Sequence, residues 1–141
     1  MKKITIKLTK KLTNLNIKQI CELKRSKWKY NLKKQVDWFN KKIRPKDIHF
    51  FLKNNNKLIG YNCLRKTFYE YESSRKNFKP KRYDCYVFDS FIVKNQNRNY
   101  VNASTLINAN KVIIKKNNKI TFLNCDKNYY KFYKFFNWKI I

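Results

Sequence analysis

Between Tyr86 and Trp138 the chain sets out an order of parts that few folds accommodate. An apolar segment, YVFDSFIV, reads as a buried strand, and a polar turn, KNQNRNYVNA, leads from it into a helix. A second apolar strand, ITFLNC, comes next, then a helix crowded with aromatic rings, NYYKFYKFFNW. A strand that feeds a helix through a polar turn brings several unpaired backbone N–H groups to one point. Such a point suits a phosphate or pyrophosphate, because the first amides of a helix have no intrahelical acceptor. A tyrosine on the later helix would then stand beside whatever the anchored ligand carries.

With 141 residues, 43% of them hydrophobic and 17% aromatic, residues 1–141 are expected to form one domain with a real core. No apolar run approaches the roughly 18 residues of a membrane-spanning helix. The opening MKKITIKLTKK has lysines but no apolar stretch behind them, so it does not read as a signal peptide. The expectation is a cytoplasmic protein without a membrane partner. A net charge of +27 invites a nucleic-acid reading, yet 29 lysines stand against 6 arginines and are spread from Lys2 to Lys139. Base and phosphate recognition favours the bidentate guanidinium, and there is no dense stripe. A solvated surface, with a field that draws anionic ligands, fits better. Cys21, Cys63, Cys85 and Cys125 lie far apart and His49 is the lone histidine, so no zinc pattern is present and no metal is expected. The cysteines read as small core residues in a reducing compartment.

Alternation in ITIKL predicts a first strand over 3–8. Asn14 or Asn16 is expected to cap a helix from near Ile17, whose buried face takes Ile17, Ile20, Cys21 and the stem of Lys24. After a break at Trp28–Asn31, LKKQVDWFNKKI keeps helical spacing at Leu32, Val36, Phe39 and Ile43, and Pro45 ends it. Asn54–Lys57 marks a hairpin, and Gly60, the only glycine, predicts a bulge or a close backbone approach in the strand after it. Tyr69 to Arg82 reads as a surface loop, and WKII as a short last strand. The sum is an α+β domain, a mixed and mostly antiparallel sheet with helices on both faces.

In this order of elements the chain resembles the GNAT superfamily of acyl-CoA N-acyltransferases, over nearly all its length. The family's fourth strand runs into Q/R-x-x-G-x-G/A, the loop that binds the coenzyme A pyrophosphate. FIVKNQNRNYVNASTLI sets Arg98 at the first position, Val101 at the first glycine and Ala103 at the second. A register starting at Gln96 puts Ser104 and Thr105 where the family buries leucines, whereas the Arg98 register puts Leu106 and Ile107 there. The later signature, Phe-Tyr on the last helix before Gly-Phe, is matched by Phe132 and Tyr133, with Asn137 and Trp138 replacing Gly-Phe. Two departures stand out. Val101 replaces a glycine that lets backbone approach the pyrophosphate. The chain stops at Ile141, where the family usually adds one more strand; an open edge, a strand from a neighbouring chain in a homodimer, or a short variant would each account for it.

The resemblance implies acetyl-CoA as cosubstrate and direct attack of an amine on its thioester. It implies pyrophosphate binding by Arg98, Asn99, Tyr100, Val101, Asn102 and Ala103, and pairing of the pantetheine arm with the backbone of Phe91, Ile92 and Val93. Tyr133 falls where many members place a tyrosine near the thioester sulfur, either as acid for the leaving thiolate or as packing in an all-aromatic helix. Asp89 interrupts an apolar strand, as base or amine ligand, or as a sheet-face carboxylate paired with a lysine; Asp84 is a weaker alternative. His49, alternating with apolar neighbours, reads better as structural than catalytic. Trp28, Tyr30 and Trp38 flank the break where members form the acceptor pocket, as a wall for a small-molecule amine such as an amino sugar, or as core packing. The alternative function is a GNAT-like binding module without turnover, or a basic protein acting on nucleic acid.

Overall fold

The structure, a computed structural model, describes residues 1–71, 75–77 and 79–141. In chain order it has β1 (Lys2–Leu8), α1 (Asn14–Arg25), α2 (Leu32–Lys42), β2 (Ile48–Asn54), β3 (Lys57–Tyr71) and β4 (Lys81–Val93). Then come α3 (Tyr100–Asn117), β5 (Thr121–Phe122) and α4 (Tyr130–Phe135). The strands form one sheet in the order β1-β2-β3-β4-β5, each antiparallel to the one before it except β5, which runs parallel to β4.

Local chemistry sets the element ends. Thr13, rather than Asn14 or Asn16, is the N-cap of α1: its side chain accepts from Asn16 N at 3.1 Å, and Asn16 Oδ1 accepts from Thr13 N at 3.1 Å. Asn31 caps α2 and Asn99 caps α3 by a single bond each, the side chain accepting from Lys34 N and Asn102 N. At the β2–β3 turn Asn55 and Asn56 both take positive φ, 48° and 67°, so a two-residue turn closes the hairpin without glycine. Gly60 sits beside a register shift at Leu52/Lys53, in line with the expected bulge.

Both sheet faces are covered, which is why β2 reads IHFFLKN with its first five residues buried. Helices α1 and α2 bury Ile20, Cys21, Leu23 and Phe39 against Phe51, Tyr61, Cys63 and Ile92. On the opposite face α3 and α4 bring Leu106, Ile107, Tyr133 and Phe136 onto Phe50, Leu52, Leu64, Tyr86 and Phe88. Asn62 and Asn110, 0% and 1% exposed, tie β3 to α3 through reciprocal amide bonds of 2.6 and 2.8 Å.

Three further expectations need correction. The loop expected over 69–82 is shorter, because β3 runs to Tyr71 and β4 starts at Lys81; residues 72–74 and 78 lie outside the described residues. Tyr69 stacked on Tyr83 at 5.2 Å, and Arg82 over Phe68 at 3.3 Å, hold this arm together across the strands. The last two apolar segments are also shorter than read: β5 keeps only Thr121 and Phe122, and α4 ends at Phe135. WKII forms no strand; Trp138 instead turns into the core against Phe88 and Tyr133.

Candidate active site

Strand β4 carries the features that a site needs. β5 pairs with it only at Tyr86 and Val87, so among the described residues the outer edge of β4 from Phe88 to Val93 has no strand beside it. Within that stretch the register to β3 shifts, with Asn62 facing both Ser90 and Phe91, and Ser90 takes a left-handed φ of 57°. This is a β-bulge, which re-aims the strand where the two parallel strands part. Backbone groups on such an edge are open to an extended ligand carrying amides of its own. One of them, the carbonyl of Phe91, accepts a hydrogen bond from Lys27 Nζ at 3.2 Å.

Beyond Val93 the chain makes a short 3₁₀ turn at Asn95–Asn97 and enters α3. Asn99 Oδ1 accepts from Asn102 N at 2.8 Å, and Ala103 N donates to Asn99 O at 3.1 Å. Those two amides are therefore engaged. The amides of Tyr100 and Val101 have no partner among the described residues, and both residues are more than half exposed (59% and 58%). Asn102 Nδ2 donates to Asn97 O at 2.6 Å and braces the turn from inside. The Arg98 guanidinium folds back, with Nη2 3.5 Å from Val93 O at the end of β4.

Tyr133 lies across β4 from the α1–α2 face. Its ring packs on Phe88 and Phe91 at 6.3 and 6.5 Å, and the residue is 8% exposed. Burial pushes its phenol well above the usual tyrosine range, with Cys125 and Tyr129 adding to the effect. It lines a cavity of about 580 Å³ walled by α3, the segment after β5 and the chain end, including Ile114, Asn124, Cys125 and Trp138. Neither the end of β4 nor the 98–103 turn lines that cavity. The phenol and the open amides are thus joined through the Phe91 ring and through Tyr100, which stacks on Phe136 at 5.9 Å, rather than through one shared space.

On the other face, Asp89 is paired with Arg65 at 3.3 Å rather than with a lysine, and Ser90 Oγ donates to it at 3.4 Å. Asp84 is exposed at the far end of β4 and pairs with Lys119 at 3.8 Å. His49 is sealed between Thr9 Oγ1 and Tyr61 OH, each at 2.7 Å, and burial lowers its pKa to about 4, so it is a neutral structural group. Of the three aromatic residues at the helix break, Tyr30 is exposed while Trp28 and Trp38 receive a lysine. Lys24 Nζ stands 3.9 Å from the Trp38 ring centroid and 5.8 Å from that of Trp28. Lys27 Nζ stands 4.8 Å from Trp28 and 5.4 Å from Tyr129, linking the α1–α2 connection to the open edge of β4. Lys24, Lys27 and Arg65 are the participants that sequence reasoning missed. The spacing of Lys24 from Ile17, Ile20 and Cys21 put its stem on the buried face, but nothing in the sequence says where its ammonium ends.

No family model matches the sequence, and no curated protein matches it either. Solved structures do. A predicted acetyltransferase of Clostridium acetobutylicum, solved with acetyl-CoA, superposes with a TM-score of 0.71 at 13% identity, covering 100% of this chain and 92% of that one. An acyl-CoA N-acyltransferase from Pseudomonas aeruginosa gives 0.72 at 12% identity, over 97% of this chain and 88% of that one. An aminoglycoside acetyltransferase from an uncultured soil metagenomic sample, in complex with sisomicin, gives 0.61 at 15% identity, over 96% and 85%. Similarity at this level of identity speaks to backbone arrangement. From its first strand to its last helix, the chain has the GNAT fold of the acyl-CoA N-acyltransferases.

Proposed function

We propose that this chain is an acyl-CoA-dependent N-acyltransferase that moves an acetyl group from acetyl-CoA to the amine of a small molecule, in the cytoplasm. One observation carries the reading: the open, bulged edge of β4 leads directly to two unpartnered amides at the start of α3. An extended arm with two amides can pair along such an edge, and a pyrophosphate at its end can accept from Tyr100 N and Val101 N. Phe91, Ile92 and Val93 would flank the arm, displacing the Lys27 ammonium from Phe91 O. Arg98 adds positive charge at the same end, while Asn99, Asn102 and Ala103 shape the turn through the bonds they make with one another.

In the reaction the amine nitrogen attacks the thioester carbonyl, a C–N bond forms, and the C–S bond breaks. The amine proton goes to Asp89, directly or through water. Tyr133 donates to the sulfur as negative charge collects there. Burial keeps its phenol protonated at neutral pH, the form that can donate. The same shift makes full proton transfer harder, so its contribution is mainly a hydrogen bond that strengthens as the thiolate forms. Trp28, Tyr30 and Trp38 would wall the acceptor, with an amino sugar as one fitting shape.

A second reading is a domain that binds coenzyme A without turnover. The separation between the cavity beside Tyr133 and the end of β4 favours it. Incubation with acetyl-CoA and a panel of amines, with released thiol followed by a chromogenic reagent, tests the proposal. Amine-dependent thiol release is expected. Tight binding of acetyl-CoA with no release for any amine supports the second reading, and no binding at all removes both.

A further inference from the structure

Tyr133 is the only residue that the proposed reaction shares with the cavity beside it. At about 580 Å³ the cavity falls within the range of roughly 300–1,000 Å³ usual for small-molecule sites. Its wall is mostly apolar, with Ile114 from α3, Ile120 and Leu123 on either side of β5, and Phe136 and Trp138 after α4. Two lining residues carry a polar atom that is buried and has no hydrogen-bond partner among the described residues: Thr121 Oγ1 and Trp138 Nε1. The Trp138 ring is wedged against Phe88 at 5.5 Å and Tyr133 at 6.2 Å. An indole N–H can only donate, and native interiors pair almost all such groups, so this wall lacks an oxygen acceptor. Charge points the same way. Lys111, Lys134 and Lys139 line the cavity, no aspartate or glutamate does, and none of the three lysines is in an ion pair among the described residues.

We infer that this cavity is a second binding site, for a small apolar carboxylate. The hydrocarbon body lies on Ile114, Leu123 and Phe136, and the carboxylate accepts from Trp138 Nε1 and Thr121 Oγ1 under the field of the three lysines. Both donor atoms are covered by neighbouring groups, so the ligand engages them through rotation of the Thr121 hydroxyl and a tilt of the indole. Trp138 stands outside any helix or strand, where such a tilt breaks no ladder of backbone bonds. A carboxylate suits this wall better than a phosphate, because an apolar surface strips water more cheaply from a monoanion than from a dianion. The lysines repel a cationic ligand, and an uncharged one leaves their field unused. The site does not rest on the acyltransferase reading, since neither the end of β4 nor the 98–103 turn lines it.

Calorimetric titration of the full chain with octanoate, 3-phenylpropanoate, 1-octanol and acetate, each below any micellar concentration, tests this. One of the two apolar carboxylates should bind saturably at one site per chain. It should bind at least about tenfold more tightly than 1-octanol, the lower end of what one charge-assisted hydrogen bond gives. Acetate, which has no body, should not bind. A lead for octanoate makes the body aliphatic and a lead for 3-phenylpropanoate makes it aromatic; either upholds the site. Trp138→Phe keeps the ring and removes the N–H, and should weaken binding by about tenfold. Lys134 and Lys139 are exposed, so the double change Lys134→Gln with Lys139→Gln leaves the core intact. It should weaken binding by about twofold to tenfold at low salt. Equal affinity for octanoate and 1-octanol, unsaturable binding, or Kd values unmoved in both variants would overturn the proposal. Displacement of octanoate by acetyl-CoA would make the cavity part of the cofactor site and overturn it too. A dimer in sedimentation that excludes octanoate would assign the cavity to a second copy. Octanoate binding in a chain that takes no acetyl-CoA would leave this site standing and remove the acyltransferase reading.

Discussion

Replacing Asn110 by alanine deletes one partner of a buried amide pair that joins α3 to β3 opposite the Ser90 bulge. Asn62 Nδ2 donates to Asn110 Oδ1 at 2.6 Å, and Asn110 Nδ2 donates to Asn62 Oδ1 at 2.8 Å. Both residues are buried, so alanine leaves a donor and an acceptor of Asn62 facing the core without a partner. Each orphaned group costs about 1–3 kcal/mol, which sums to about 2–6 kcal/mol for the variant. Against a total stability of about 5–15 kcal/mol this is a large share. Urea denaturation followed by far-UV circular dichroism should show the midpoint falling by about 1–2 M with an unchanged slope. The paired change Asn62→Leu with Asn110→Leu should recover much of the loss, because neither orphan remains. A loss under about 0.5 kcal/mol for Asn110→Ala, or no recovery in the double variant, would refute the claim that this pair pins α3 to the bulged strand.

Tyr133→Phe should lower turnover while leaving the acetyl-CoA Kd unchanged; equal turnover in single-turnover kinetics would strip the phenol of its role. Because burial raises its pKa, the donating form persists into alkaline solution, so kcat should show no downward limb assignable to Tyr133 below about pH 10, the ordinary phenol pKa. Val101→Gly should tighten acetyl-CoA binding in calorimetry, since it removes an exposed side chain beside an open amide; weaker binding would place the pyrophosphate elsewhere. His49 has a folded pKa of about 4, below the 6.5 of a free histidine, so the unfolded chain binds the extra proton between those values. Its contribution of roughly 3 kcal/mol should be complete above pH 6.5 and be lost as pH falls toward 4. A His49→Gln variant whose stability falls just as steeply over that window would contradict this.

The strand–turn–helix order was legible because it is written in local chemistry: an apolar run, a polar turn, and helical spacing to Leu106 and Ile107. The β3–β4 arm was not, since Tyr69, Glu70, Lys81 and Arg82 show no apolar alternation. Their pairing depends on cross-strand stacking that exists only once the register is set. WKII has the apolar content of a strand, but Trp138 packs on Phe88 and pulls the chain off the sheet edge. For the site, motif spacing marked the 98–103 turn and Tyr133 as candidates. It could not reveal that Asn99 engages the Asn102 amide, or that Asp89 faces Arg65, because those facts belong to side-chain directions in the folded chain. The ammonium positions of Lys24 and Lys27 arise between elements and leave no pattern along the sequence.

The most direct measurement is a coenzyme A titration of the ¹⁵N-labelled chain, followed through its backbone amide resonances. The account expects the Tyr100 and Val101 amides to move saturably and furthest, with Phe91 to Val93 following, and the engaged Ala103 amide to move little. Binding that leaves Tyr100 and Val101 unmoved, or no binding at millimolar coenzyme A, would contradict it.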